Sequence, residues 1–355
     1  MVFMEPKALQ FFRSLIETPS PSGYERPVQE LVRNYAASFA DDVSTDVHGN
    51  VIAARNPEAP LRVMLAGHCD QIGFVVQFVD PEGFIWVQPV GGWDPQIVVG
   101  QKMIVWTAGG PLFGVIARKA IHMLTEEERK QVVKLKDVWI DIGAKDRGDA
   151  ASRVHVGDPV TLELSYREAL NNCAVGPAMD DKTGLWVAVE ALRRTHPQPL
   201  QCGLFAVSTV QEEIGLRGSR TSAFRVDPHI GVAIDVCHAT DTPTVEKKWE
   251  ADIKMGGGPV IYRGPNMNPR VVDMLIKAAE SRSIPYQLAA AGGATGTDAN
   301  SIQITRAGVA AGLISIPNRY MHTPVEMVSL DDLDRAADLL AAFALSLTGD
   351  EDLTP

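Results

Sequence analysis

Five short clusters of acidic and histidine residues are spread along the chain: His68 with Asp70, Asp180 with Asp181, Glu212 with Glu213, Asp235, and His322. Two imidazoles and several carboxylates make an oxygen-and-nitrogen donor set suited to divalent zinc, cobalt or manganese, and two such ions held together activate water. Each cluster alone has a plainer explanation. A single histidine after a strand is commonly a hydrogen-bonded structural residue, Asp70 suits a turn, Glu212-Glu213 suit a solvated loop, and His322 suits the turn at Thr323-Pro324. Asp180-Asp181 suit the start of a helix, where free backbone N–H groups favour a carboxylate. Asp235 is harder to explain so, because it ends the apolar run Gly231-Val232-Ala233-Ile234 and an unpaired buried carboxylate is costly. One shared metal centre accounts for all of them together.

The elements that must position these residues follow from periodicity. Leu9, Phe11, Phe12, Leu15 and Ile16 give Pro6 to about Glu17 a helical apolar stripe, which Thr18-Pro19-Ser20-Pro21-Ser22-Gly23 stops. Tyr24 to about Phe39 reads as a second helix, and Val43–Val47 with Val51–Ala54 as a hairpin turned by His48-Gly49-Asn50. Leu61–Ala66 is apolar enough for a central strand. From about Gly73 to Leu164 short β segments are separated by Gly, Pro and Asp, with a helical period only near Thr125–Leu135. Beyond Thr183 the pattern alternates, with helices over Gly184–Arg194, Pro269–Arg282 and Ser329–Leu347 and strands over Gly203–Val210, Gly231–Val236 and Val309–Ile316. Such alternation predicts an α/β sheet covered by helices, here interrupted by a β-rich insertion. His68, Glu212-Glu213, Asp235 and His322 then lie beyond carboxyl ends of strands, where open α/β sheets place their ligand crevice.

The 44 acidic residues against 33 basic ones give a formal charge of −11. That argues against nucleic acid, whose affinity comes mainly from clustered Lys and Arg. The opening Met1–Lys7 has no basic segment followed by a long apolar one, and later apolar runs are soon broken, so neither export nor a membrane span is expected. Cys69, Cys173, Cys202 and Cys237 form no Cys-x-x-Cys pair, which fits small buried thiols in a reducing cytoplasm.

Five segments carry a family resemblance: Gly67-His68-Cys69-Asp70-Gln71-Ile72-Gly73, Ala178-Met179-Asp180-Asp181-Lys182-Thr183-Gly184, Gln211-Glu212-Glu213-Ile214-Gly215-Leu216-Arg217-Gly218, Gly296-Thr297-Asp298-Ala299 and Arg319-Tyr320-Met321-His322-Thr323. In this order they resemble the signature segments of the M42 metallo-aminopeptidases, of the tetrahedral aminopeptidase type. Gly91-Gly92-Trp93-Asp94-Pro95-Gln96 and Asp141-Ile142-Gly143-Ala144 add to the likeness, and no position matching a family metal ligand is substituted. The resemblance implies a helix-covered mixed α/β sheet of the zinc-exopeptidase type over 1–72 and 165–355, with an inserted β-barrel-like dimerisation domain over 73–164. It implies two divalent ions per subunit, zinc or cobalt first and manganese third, bridged by Asp180. His68 and Asp235 would complete one site, and Glu213 and His322 the other. A carboxylate can hold two cations at roughly 3.5–4 Å, whereas an imidazole offers one lone pair. Glu212 would be the general base, Asp70 would steady the imidazole of His68, Asp181 would hold Asp180, and the Asp180–Asp181 peptide would be cis. The substrates implied are short peptides shortened from the N-terminus, and the assembly implied is a homo-oligomer, a dodecamer built from dimers.

Other features are open. His122 resembles a histidine offered by a neighbouring subunit, or is an ordinary turn residue. Gly292–Asp298 lies near the substrate by resemblance, or is a turn in which Asp298 caps Ala299-Asn300-Ser301. Gly256-Gly257-Gly258 lacks the Lys-Ser/Thr of a phosphate loop and reads as a turn. Rival functions are a related metal-dependent carboxypeptidase or N-deacylase, a glycosidase, and a non-catalytic assembly protein retaining the fold. A glycosidase would have no use for the histidines.

Overall fold

The apolar runs meet at the centre of an eleven-stranded mixed sheet. The computed structural model describes residues 4–355; the first three residues of the opening segment lie outside it. Strands Gly203–Thr209, Arg62–His68, Ile230–His238 and Ala310–Arg319 lie side by side in that order, all parallel. Every residue of Gly203–Thr209 is buried, as expected of a parallel strand covered on both faces. Antiparallel strands flank this centre: Val51–Arg55 and Asp42–Thr45 on one side, Glu326–Ser329, Cys173–Gly176 and Arg167–Ala169 on the other. Val260–Arg263 pairs with Ala310–Arg319 and carries Gln287–Ala290.

Helix Met179–Arg194 lies directly on the central strands because Gly67 has no side chain. A Cβ there would stand 2.3 Å from the carbonyl carbon of Gly184 and from Leu185 N. On the far side of the helix, fully buried Trp186 donates its indole N–H to the Ala8 carbonyl at 2.9 Å, fastening helix Pro6–Glu17. Helix Leu330–Ser346 packs alongside.

Six strands close into a separate antiparallel barrel in the order Gly73–Val79, Ile85–Val90, Trp139–Asp141, Gly110–Ala117, Lys102–Thr107, Pro159–Leu162. Closure leaves no open edge, and Phe74, Val76, Met103, Val105 and Ile116 fill the interior. Trp93 stacks on Phe74 at 4.6 Å between ring centroids and donates to the Gly73 carbonyl at 2.8 Å. This anchors the Gly91-Gly92 turn at the rim of the main sheet.

Two expectations need adjustment, and one helix was not expected. The second helix spans Arg26–Ala36, shorter than the periodicity suggested. The Thr125–Leu135 helix shrinks to Glu126–Arg129, a capped turn with no buried face to extend it. Helix Arg217–Val226 gives little apolar signal, since it buries Gly218, Ser219, Ser222, Ala223 and Val226. No helix among the described residues is long and apolar enough to cross a membrane.

Candidate metal centre

His68 ends its strand with Nδ1 3.0 Å from the Asp70 carbonyl oxygen and Nε2 3.1 Å from Asp180 Oδ1. His322 repeats the arrangement, with Nδ1 2.9 Å from the Gly92 carbonyl oxygen and Nε2 3.0 Å from Asp180 Oδ2. If each Nδ1–H donates to its carbonyl, both Nε2 lone pairs point at oxygens of one carboxylate. Such lone pairs repel unless a cation lies between them. Glu213 Oε1 adds a buried acceptor with no hydrogen-bond partner. These orphaned donor atoms fit a divalent ion.

The potential ligands form two groups. His68, Asp180 and Asp235 offer atoms all within 4.8 Å of one another, and so do Asp180, Glu213 and His322. Asp180 is common to both. Glu212 belongs to neither, although its Oε2 lies 3.8 Å from His68 Nε2. All seven residues singled out as site candidates, Asp70 included, therefore meet at one rim.

Their supports differ in detail from expectation. The Asp70 carboxylate reaches past the imidazole to the next loop, where Oδ1 accepts from Glu212 N at 2.9 Å and Oδ2 from Glu213 N at 3.2 Å. Its carbonyl, not its carboxylate, is the close partner of the ring. Asp181 does not touch the Asp180 side chain by a hydrogen bond; it accepts from His68 N at 3.2 Å and from Gly184 N at 2.9 Å, joining strand to helix start. The Asp180–Asp181 peptide is cis. Ala178, Gln211, Tyr320 and His322 flank the rim with φ of 63°, 55°, 64° and 60°. Non-glycine residues rarely adopt this left-handed region, at a cost of about 1 kcal/mol each.

Two supports escaped the sequence reading. Glu326, buried on Glu326–Ser329, accepts from Asp180 N at 2.9 Å and from His322 N at 2.7 Å, so one carboxylate sets the backbones of both residues. The Pro-rich stop after the first helix is the other: Ser22 Oγ donates to Asp70 Oδ2 at 2.6 Å and Ser20 Oγ to the Cys69 carbonyl at 2.7 Å. Fully buried Lys182 lies beneath, donating to the Thr18 carbonyl at 2.6 Å and Gln71 Oε1 at 2.8 Å, and burial pulls its amine down to about 7.

Electrostatics match the donor set. Asp70, Asp180, Asp181, Glu212, Glu213, Asp235, Asp298 and Glu326 set eight largely buried carboxylates against two imidazoles. Burial, with Asp235 and Asp298 adding to it against His68, pushes the Glu212 carboxyl up to about 11. Burial and then Asp180 raise Glu213, Asp235 and Glu326 to about 8 each. Burial would raise Asp180 too, but hydrogen bonds from His322 and His68 hold it below the ordinary carboxylate range. For both histidines burial opposes the charged ring, and neighbouring carboxylates outweigh it; His68 rises well above its usual value and His322 to about 9. Protons are the only positive charges the chain itself can add here, and a divalent ion would displace them.

A cavity of about 410 Å³ opens beside the rim, walled by Tyr262, Leu313, Met321 and the Thr295-Gly296-Thr297 segment. Asp298 does not cap the following turn with its side chain; it accepts from Thr209 Oγ1 at 2.6 Å. His122 lies in an exposed turn, Ile121–Met123, and is not among the residues lining this cavity. Gly256-Gly257-Gly258 is a turn, held by Asp332 through Gly256 N at 2.6 Å and Gly258 N at 2.7 Å.

The barrel contributes to this rim through a glycine. Gly91 has φ +77°, and a Cβ there would come within 2.5 Å of Ile72 Cγ2 and 3.2 Å of Glu213 Oε2. Gly91→Ala should displace the turn whose next carbonyl holds His322, weakening zinc binding by about tenfold or more in calorimetry. Wild-type affinity in a folded variant would mean that the turn does not orient His322.

An α/β sheet with acidic and imidazole side chains along its carboxyl edge is the framework of a hydrolytic enzyme. The family model described as M42 glutamyl aminopeptidase matches residues 49–339, and the chain belongs to that family, whose members hydrolyse peptide bonds. It is 34% identical to a lysyl aminopeptidase of Pyrococcus furiosus over 94% of this chain and 95% of that one. The crystal structure of a TET aminopeptidase from the marine sediment archaeon Thaumarchaeota archaeon SCGC AB-539-E09 superposes with a TM-score of 0.92 at 35% identity, covering 96% of both chains. A TET1 peptidase of Pyrococcus horikoshii, which can assemble into a tetrahedron or a large octahedral shell, gives 0.84 at 28% identity over 96% of this chain and all of its own (100%).

Proposed function

We propose that the protein is a dinuclear metal-dependent aminopeptidase that removes N-terminal residues from short peptides. The observation that carries this reading is the pair of ligand groups sharing Asp180, with Glu212 beside them and outside both. His68, Asp180 and Asp235 would hold one divalent ion and Asp180, Glu213 and His322 the other, zinc or cobalt in preference to manganese. Bound there, the ions would polarise the scissile carbonyl and acidify water.

The chain's own residues supply the rest. Glu212 takes a proton from the attacking water as its oxygen bonds to the carbonyl carbon. It returns that proton to the departing amine as the C–N bond breaks. Asp70 fixes the Glu212-Glu213 backbone, which keeps Glu212 over the rim while Glu213 turns to its ion. Asp181 ties the His68 strand to the Asp180 helix, and Glu326 ties Asp180 to His322.

We also assign residues 73–164 to an inserted dimerisation domain and the remainder, 1–72 and 165–355, to the catalytic domain, a division supported by the closed barrel. The assembly proposed is a dodecamer built from dimers, in keeping with the shells of the Pyrococcus horikoshii relative. Four free, buried cysteines suit a cytoplasmic setting.

The test is EDTA treatment followed by zinc or cobalt, with free and N-acetylated peptides as substrates. Activity should vanish, return with metal, and act only on free N-termini. Cleavage from the C-terminus, or of the acetyl group, would replace the aminopeptidase reading by one of its rivals.

A further inference from the structure

We infer that the cavity beside the rim selects an uncharged, apolar N-terminal residue and disfavours both acidic and basic ones. This rests on the aminopeptidase reading, which places the scissile carbonyl at the Asp180 and Glu212 carboxylates. The side chain of the residue being released is attached to the carbon next to that carbonyl. It must therefore occupy the space that opens from the rim, the cavity of about 410 Å³. That volume also takes in the rim itself, so the side chain shares it with the reacting groups.

Away from the rim carboxylates and histidines, and His238, the lining is neutral. Cys237, Tyr262, Ala291, Ala294, Leu313 and Met321 surround the space, and among the described residues lining it there is no lysine or arginine. The guanidinium on the neighbouring strand end, Arg319, is held by both oxygens of Asp241 at 2.9 and 2.7 Å. The ammonium beneath the rim, Lys182, is committed to Thr18 and Gln71. His238 is the one lining side chain outside the rim able to carry positive charge. An acidic side chain would enter without a permanent cationic partner in the wall, and burying an unpaired charge is costly.

A basic side chain meets a different obstacle. The only carboxylates lining the cavity are those same four, which the reading commits to metal binding and proton transfer. An apolar side chain has neither difficulty. Met321, an unbranched thioether, can adjust to its shape, and Ala291, Ala294 and Gly296 add little bulk to the lining. The selection thus departs from the charged preferences in the descriptions of the matching family, glutamyl, and of the Pyrococcus furiosus relative, lysyl.

The experiment compares kcat/KM of the full-length, zinc- or cobalt-loaded protein on X-Ala-Ala peptides with X as Leu, Met, Phe, Glu or Lys. Leu, Met or Phe should lead, with Glu and Lys each lower on the order of 100-fold. Glu or Lys turned over as fast as Leu would overturn the inference and leave the aminopeptidase reading standing. No cleavage of any of the five by protein that hydrolyses other bonds would overturn the reading beneath it. A gain-of-function arm locates the pocket: Ala291→Lys, or Ala294→Lys on the exposed loop, puts an ammonium in the wall. Either should raise Glu relative to Leu by about tenfold. Folded variants that keep Leu turnover and gain nothing on Glu would show that the side chain goes elsewhere.

Discussion

Glu212→Gln should lower kcat by about 10³-fold, within the range of general acid–base catalysis, and leave the metal content unchanged. The amide keeps the shape of the carboxylate and can still accept a hydrogen bond, but it cannot take a proton from water and return it to an amine. Both ligand groups remain complete without Glu212, so ion binding has no reason to weaken. Nor does the fold. The Glu212 backbone N–H still donates to Asp70 Oδ1, and a carboxyl pushed up to about 11 already carries its proton near neutral pH, so in the metal-free protein the amide changes no charge. The melting temperature should therefore hold, which separates lost chemistry from lost structure. Turnover and elemental analysis on one preparation check this. Turnover within tenfold of wild type would move the proton transfer to another group, and loss of an ion would make Glu212 a ligand.

This separation of roles shows which parts of the site a sequence can display. His68, Asp235 and the Glu212-Glu213 pair were legible because each follows a strand whose continuous apolar run marks it as central, and strand ends of an α/β sheet converge on one crevice. The barrel was legible too, as a stretch of short segments without helical period. Glu326 was not. Its strand has four residues and pairs near the sheet margin, so nothing local says that its carboxylate is buried against the backbones of Asp180 and His322. The Gly92 carbonyl that holds His322 is a backbone acceptor, which leaves no trace in residue type. Ser20 and Ser22 read as a helix stop, and they are one, but the same turn clamps the Cys69 carbonyl and the Asp70 carboxylate. Asp70 follows its strand to the rim, while the target of its carboxylate, a loop 142 residues away, depends on tertiary pairing of Arg62–His68 with Gly203–Thr209. Ligands announce themselves by type and position. The groups that aim them are set by packing.

Asp180→Ala should abolish binding of both ions at concentrations that saturate the wild type, because it is the one side chain common to the two ligand groups. Its removal leaves His68 with Asp235 and Glu213 with His322, two donors each, below the three or more protein ligands usual for a tightly held ion. Thermal stability gives a second measure. Wild type at a metal concentration about 100 times Kd gains roughly 2.7 kcal/mol from binding, and the variant should gain none. Without metal the variant should be somewhat less stable, because it loses the carboxylate that both imidazoles hold below its ordinary range. Asp180 is among the neighbours that raise Glu213, Asp235 and Glu326, so its loss relieves those carboxyls even as both imidazoles lose an acceptor. A metal-free variant that melts far below wild type would make Asp180 a structural residue first. Retention of one ion would confine Asp180 to a single site, and retention of both would end the shared-ligand assignment. The three outcomes differ in stoichiometry, so elemental analysis alone tells them apart even though turnover falls in each.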